Sequence, residues 1–555
     1  MKINEITLHN FRSIKDGKVS LADYSLLIGA NNSGKTGVID AIRIFYEASI
    51  KFDLERDFPK FKTEDNESWV EIEYLLSKEE TDGLKEEYRI APNKFKVRKY
   101  FKSVDSDLVK SNQSNIYAYE NGLLSKNLFY GAKNISQAKL GEVIHIPAVS
   151  SIDEQTKMSG PSTLRNVLDF VMKKVVKNSS AYEKLQKSFE EFNEVFQKET
   201  SDDGVSLNKL KEDINAEISG WGASIGIDIN PVDPALIIKS LVSHHINESS
   251  LEGHKMNMAN FGQGFQRYMI YTLLKISTKY RDKSKASSKK DFLPQFTFLL
   301  FDEPEAFLHP TQQEILNLSL EEISKDEEQQ VLISTHSPSF VSKNIENIRS
   351  LTRLNKIGAE TRFYQINNDK LSEVLMQNIE DLRVLMGESL QENDLELESL
   401  RYSCWLDSAR SSAFFANFVL LCEGASEKVL IEYLIKTGKI EVTNKEIYVL
   451  DAMGKYNLHR YMNLFSLMGV QHSVLFDSDN NSERNKKIND FLKNNKNSFT
   501  KEIHSFDKEL EDFLGIPKCA DKHRKPIEVL WNYKNGKIEE SKLTALKEII
   551  LKLIR

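Results

Sequence analysis

Gly29-Ala-Asn-Asn-Ser-Gly34-Lys35-Thr36 is the stretch that decides how this chain folds. It has the spacing G-x-x-x-x-G-K-[ST]. Such a loop lets backbone N–H groups wrap phosphate oxygens, Lys35 neutralise β/γ charge and Thr36 offer a hydroxyl to Mg²⁺. Asn31, Asn32 and Ser33 fill the loop between the glycines. An apolar strand, Tyr24–Ile28, precedes it and a helical pattern, Thr36–Ala48, follows. This strand–loop–helix order predicts an α/β domain that binds ATP.

Working outward, Ile3, Ile6 and Leu8 alternate as an opening strand, with further strands expected at Val70–Tyr74, Phe95–Phe101 and Gly141–Pro147. Phe296-Thr-Phe-Leu-Leu-Phe-Asp302-Glu303 reads as a buried parallel strand ending in two acids. Asp302 is placed to support Mg²⁺, and Glu303 to polarise an attacking water. A second such strand, Val331–Ser334, runs into Thr335-His336, and a histidine at that strand end points to a γ-phosphate contact. Residues 162–220 carry helical spacing (Leu164, Val167, Leu168, Val171 and Met172; then Leu185, Phe189, Phe192 and Phe196) and predict a short helical insertion. Lys283–Lys290 reads as an exposed loop. Residues 366–410 are acidic, helical and weakly patterned, and read as a connector.

At 555 residues the chain is too long for one core. It lacks both an apolar run of the roughly 18 residues a membrane span needs and the apolar core of a signal peptide. Three cysteines without paired spacing argue against structural zinc and fit a reducing cytoplasm. The net charge is −7, yet residues 481–555 hold 17 Lys and Arg against 12 Asp and Glu. A basic end on an acidic body is compatible with gripping phosphates.

A fresh strand, Phe418–Cys422, begins the last domain and runs into Glu423-Gly424. Glu427 follows four residues on, at the start of a helix, so both acids can face one cation. Ser473-Val-Leu-Phe-Asp477-Ser-Asp479 is a later strand closing in Asp-x-Asp. In extended chain the two carboxylates point the same way.

With these motifs in place, the chain resembles the ABC-type ATPases of the structural-maintenance and recombination-repair group. Asn10-Phe11-Arg12-Ser13 follows strand one as it does there, and Asp302–Pro310 looks like their Walker B and D-loop. Gly262-Gln-Gly264-Phe-Gln266-Arg267 looks like a variant signature motif, with Asn260-Phe261 in place of Leu-Ser. The resemblance implies a homodimer through the ATPase domains, in which one subunit's signature loop completes the other's ATP site, or a tetramer built from it. Glu423-Gly424 and Asp477-x-Asp479 resemble the Toprim domain. An ATPase followed by Toprim is the order of the overcoming-lysogenisation-defect (OLD) family, to which the Gabija antiphage nuclease also belongs.

The resemblance implies an α/β fold of five segments. These are ATPase residues 1–160, a helical dimerisation insertion 161–250, ATPase residues 251–365, a connector 366–410 and a Toprim nuclease domain 411–555. It implies ATP and Mg²⁺ as cofactors, with Mn²⁺ an alternative at the nuclease site, and DNA as substrate. The metal ligands it implies are Glu423, Glu427, Asp477, Asp479 and Glu511. A catalytic lysine is expected among Lys518, Lys522 and Lys525, the last favoured because Lys525-Pro526 opens a helix. A partner protein from a defence system stays open, as do a non-cutting scaffold and a DNA-repair role.

Overall fold

The computed structural model describes residues 1–148, 180–226, 243–248, 254–279, 296–341, 348–366, 368–386, 394–442, 447–480, 482–521 and 523–554, with isolated positions at 156–172, 292 and 294. Lys522 and the Lys283–Lys290 segment lie outside the described residues. The chain divides into two compact units, one of residues 1–148 and 288–555, the other of residues 149–287.

Three sheets organise the first unit. The N-terminal hairpin, Lys2–Phe11 with Ile14–Ser20, joins Ser68–Leu75, Lys94–Lys102, Ile116–Glu120 and Leu123–Leu128 in an antiparallel sheet. The second sheet runs in the order Glu360–Gln365, Leu351–Ile357, Tyr24–Ile28, Gln329–Ser334, Thr297–Asp302, Glu142–Ile146. All its neighbours are parallel except the first pair. Its central strands are continuous apolar runs because both faces are covered. The helix Lys35–Phe45 lies against them, burying Val38, Ile42 and Phe45 in one core with Leu27, Phe298, Leu300 and Leu332.

The third sheet is parallel throughout, ordered Ile447–Asp451, Phe418–Cys422, Gln471–Asp477, Thr500–Phe506. Leu420 and Leu475 pack there with Leu430 and Leu434 of the helix Ala425–Lys436 and with Leu546 and Ile550 of the helix Glu540–Ile554.

Residues 368–386 and 394–405 are helices, but they do more than connect. Asn378 donates to the Tyr402 hydroxyl (2.9 Å), which donates to the Arg460 carbonyl (3.0 Å). The Arg460 guanidinium grips the buried Glu398 carboxylate, with Nη2–Oε2 at 3.0 Å. Both helices are thereby fastened to the helix Lys455–Leu467 of the third-sheet region.

In the second unit, helices span Ser180–Lys198 and Leu207–Ile218. Leu185 and Phe192, two of the residues whose helical spacing predicts the insertion, are exposed, as are Leu210 and Trp221. Among the described residues no helix is long and apolar enough to cross a membrane.

Candidate functional sites

The glycine loop, residues 29–36, sits at the exit of the strand Tyr24–Ile28. Gly29 adopts φ 141°, and a Cβ there would lie 2.2 Å from the Leu354 carbonyl oxygen. Gly34 adopts φ 106° and abuts Thr361. Both positions are closed to any side chain. The helix that follows has no side-chain cap at its N-terminus, so its first-turn N–H groups remain available to an anion. A cavity of about 560 Å³ opens over them, lined by Arg12, Asn31, Asn32, Ser33, Gly34, Lys35, Thr36, Glu303, His336 and Lys356, among others. Lys35 is buried and donates to the carbonyls of Gly29 and Ala30, both at 2.9 Å. Burial pulls its pKa down to about 8, against the pull of Glu303, Asp302 and Glu305. A desolvated lysine, the buried Ser33 hydroxyl without a hydrogen-bond partner and an uncapped helix end fit a polyphosphate.

Asp302 ends its strand with its carboxylate bonded to the Ser334 hydroxyl, and burial raises its pKa. Glu303 turns out of the strand at φ 44° and meets His336 Nε2 at 3.4 Å. The His336 backbone N–H is held by the buried Glu305 (2.7 Å), which therefore fixes the strand end carrying the imidazole. Three residues the sequence reading left unassigned belong here. Arg12 lines the cavity while paired to Asp40 (2.8 Å) and Asp57 (2.9 Å), and Lys356 and Ala359 line it from a hairpin tip.

Gly262, Gly264 and Gln266 belong to the second unit, at the start of the helix Gln263–Lys279. The Gln266 amide is used internally, donating to the carbonyls of Ala259 (3.1 Å) and Phe261 (2.7 Å).

At the C-terminal edge of the third sheet, strand ends bring the other acids into one neighbourhood. Glu423 follows the strand Phe418–Cys422 and accepts from the Asp477 backbone N–H at 3.1 Å, tying adjacent strands together. Glu427 reaches back to the Gly424 N–H (3.2 Å) and is buried. Desolvation, then repulsion from Glu423 and Glu511, raises its pKa to about 7. Asp477 is raised to about 9 by desolvation, then by Glu427, Glu423, Asp479 and Glu511. Oδ1 of Asp477 and Oε1 of Glu511 are buried without a hydrogen-bond donor. Buried acids that repel one another and lack donors fit a cation.

Two details depart from the sequence reading. Asp479 is not in extended chain: its φ is 41°, and the strand stops at Asp477. Among the described residues, no three acidic, histidine or cysteine side chains converge closely enough to share one ion.

Lysines flank the acids. Lys525 opens the helix Lys525–Lys534 and lies 3.2 Å from Glu509 and 3.9 Å from Glu511. Lys518 pairs outward with Glu509 (3.1 Å) and Asp512 (3.0 Å). The sequence reading missed Lys455. It is buried at the first turn of its helix, 4.0 Å from Asp479, and donates to the Ser478 carbonyl (3.2 Å) between the two aspartates. Its signal was present in Asp451-Ala-Met-Gly454-Lys455, where an apolar strand, a glycine and a helix start repeat the logic of Glu423-Gly424.

Two family models match the chain. The AAA ATPase domain family matches residues 1–341, and the overcoming lysogenization defect protein-like TOPRIM domain matches residues 414–479. Old nuclease of Escherichia phage P2 is 23% identical over 502 residues, covering 86% of this chain and 77% of its own. Endonuclease GajA of Bacillus cereus (strain VD045) is 23% identical over 511 residues, covering 88% and 76%. Among solved structures, the SmcHead bound to the C-winged helix domain of ScpA aligns with 67% of this chain and 100% of its own, at 15% identity and a TM-score of 0.39. The chain belongs to the AAA ATPase domain family and joins that ATPase to a C-terminal TOPRIM domain of the overcoming-lysogenization-defect type.

Proposed function

We propose that this protein is an ATP-binding, metal-dependent DNA endonuclease of antiphage defence, in which the nucleotide state of the ATPase controls the Toprim site. The observation that carries this reading is the gathering of Glu423, Glu427, Asp477, Asp479 and Glu511 at one sheet edge, three of them raised in pKa chiefly by burial. A module that only bound nucleic acid would have no use for buried acids that repel the phosphates. The names of the two relatives support the same class of activity.

These five residues would divide between two Mg²⁺ or Mn²⁺ ions, one supplying the charge that activates water and the other the charge that stabilises the leaving oxygen in phosphodiester cleavage. The protein's own part is to fix the carboxylates through strand-end hydrogen bonds and to neutralise phosphate charge with Lys525. In the ATPase, Thr36 and Asp302 would hold Mg²⁺, Lys35 would neutralise the β/γ-phosphates, Glu303 would polarise water and His336 would contact the γ-phosphate. Gly262, Gly264 and Gln266 serve the ATP site of a second copy. The apolar residues exposed on the insertion support a homodimer, which can pair into a tetramer.

The test is incubation of supercoiled plasmid with Mg²⁺ or Mn²⁺, with and without ATP, beside Glu423→Ala and Lys35→Ala. Nicking that disappears in Glu423→Ala is expected. Equal nicking by wild type and Glu423→Ala would remove the nuclease assignment.

A further inference from the structure

The strand pair Leu351–Ile357 and Glu360–Gln365 forms a hairpin that touches both sites. At its tip, Lys356 and Ala359 line the nucleotide cavity. Thr361, the register partner of Lys356, donates its hydroxyl to the Ser33 carbonyl of the glycine loop (2.9 Å) and contacts the Ser13 hydroxyl (2.8 Å). The first hairpin strand lies parallel to the strand that feeds the loop, with Arg353 opposite Ile28 and the Leu354 carbonyl against Gly29.

At the base of the same hairpin, Arg353 faces Tyr364, and both are seated in the Toprim region. Arg353 is 1% exposed, and among the described residues it forms no ion pair. Its guanidinium donates instead to four backbone carbonyls: Phe414 (2.8 Å), Ala416 (3.0 Å), Met468 (3.2 Å) and Gly469 (2.8 Å). The Tyr364 ring fills the space over Gly469, where a Cβ would come within 2.5 Å of it, and meets Phe499 edge-on at 5.8 Å.

Those carbonyls sit just before the strands Phe418–Cys422 and Gln471–Asp477, which are adjacent, parallel and in register from their first residues. Glu423 and Asp477 are at the far ends of those strands. Strands of five to seven residues are about 17–23 Å long and stiff along their axes. The clamp at the near ends therefore sets where the two carboxylates stand relative to one another. A planar guanidinium bonded at four points fixes that register directionally, which an apolar contact would not.

We propose that Arg353 is a positioning residue for the nuclease, and that the Leu351–Gln365 hairpin makes the placement of Glu423 and Asp477 depend on occupancy of the nucleotide cavity. This rests on the nucleotide-controlled nuclease reading and names the part that carries the control.

The experiment uses the full chain with Arg353→Met and Tyr364→Leu. The second variant keeps the guanidinium bonds but unseats the ring from Gly469. Plasmid cleavage is measured with and without saturating ATP, alongside ATP affinity, DNA affinity and thermal unfolding. For the wild type, the two rates are expected to differ by a factor of about 5 to 150, the usual range of coupling between sites. In both variants that ratio is expected to collapse toward one while ATP and DNA affinities stay within about two-fold of wild type. The remaining loss should fall in kcat rather than KM. If the wild type itself ignores ATP, nucleotide control is wrong and this proposal falls with it. If the wild type responds and a folded Tyr364→Leu or Arg353→Met keeps the wild-type ratio, only this proposal is overturned. Should Arg353→Met fail to fold, the Tyr364→Leu ratio decides.

Discussion

Replacing Asp477 by asparagine is expected to make the metal-free protein more stable. The burial and crowding that raise Asp477 to about 9 and Glu427 to about 7 act only in the folded chain. Unfolded, both titrate near 4. Below about pH 4 both states hold these protons, and the two groups add no pH dependence. Above that, the unfolded chain releases protons that the folded chain keeps, up to about pH 7 for Glu427 and about pH 9 for Asp477. Stability therefore falls as pH rises through this window, by about 1.4 kcal/mol per pH unit for each retained proton. From pH 6 to pH 8, Asp477 accounts for roughly 3 kcal/mol and Glu427 for about half as much.

Asparagine keeps the shape and removes the charge. The variant in EDTA should then lose only the Glu427 share between pH 6 and 8. Because the Asp477 contribution accumulates from about pH 4, it should exceed wild type at pH 8 by several kcal/mol. That difference moves an unfolding midpoint by several degrees. Thermal unfolding followed by the fluorescence of Trp405 and Trp531 reads it directly. Adding Mg²⁺ should raise the wild-type midpoint far more than the variant's, because the ion binds the folded acids and offsets their repulsion. A wild-type profile flat between pH 6 and 8, or a variant less stable than wild type at pH 8, would refute the reasoning.

Other substitutions separate the roles assigned above. Glu303→Gln is expected to slow ATP hydrolysis by about 10²- to 10⁴-fold while leaving ATP binding intact, as measured by steady-state turnover beside calorimetry. Lys455→Met should reduce plasmid cleavage about 10- to 100-fold without changing ATP hydrolysis, since Lys455 holds the Ser478 carbonyl and so the Asp479 turn. A parallel fall in both activities would mean lost folding instead. Lys525→Ala should cost cleavage about 10²- to 10³-fold, and Lys518→Ala, whose partners Glu509 and Asp512 are partly exposed, should stay near wild type. The reverse order would move the catalytic role to Lys518.

What the sequence displayed, and what it hid, follows from how each part is buried. Residues 26–28, 298–301, 331–333 and 418–422 are covered on both faces, so they read as unbroken apolar runs that lead into the site residues. That pattern marks the glycine loop, Asp302-Glu303, His336 and Glu423 in the sequence itself. The helices 368–386 and 394–405 were legible as helices, but their attachment was not. They dock through Asn378, Glu398, Tyr402 and Arg460, and a polar contact leaves no trace in hydropathy. The extended reading at Asp479 fails for a different reason: the Asp-x-Asp spacing assumed a strand that ends two residues early, and the backbone then turns left-handed.

The hairpin at Leu351–Gln365 joins both kinds of concealment, and its energetics argue for a role beyond adhesion. Burying a guanidinium with only carbonyls for company costs several kcal/mol of desolvation, which the four bonds must offset. Leu or Met in a repacked pocket would hold two surfaces together at less cost. What an apolar pair does not supply is register, since it tolerates sliding by an ångström with little penalty. The acids at the far strand ends need that register, because Glu423 and Asp477 are already linked by one 3.1 Å hydrogen bond across the two strands the guanidinium grips. A repacked apolar base at Arg353 and Tyr364 should therefore give a more stable protein whose nuclease no longer follows the nucleotide.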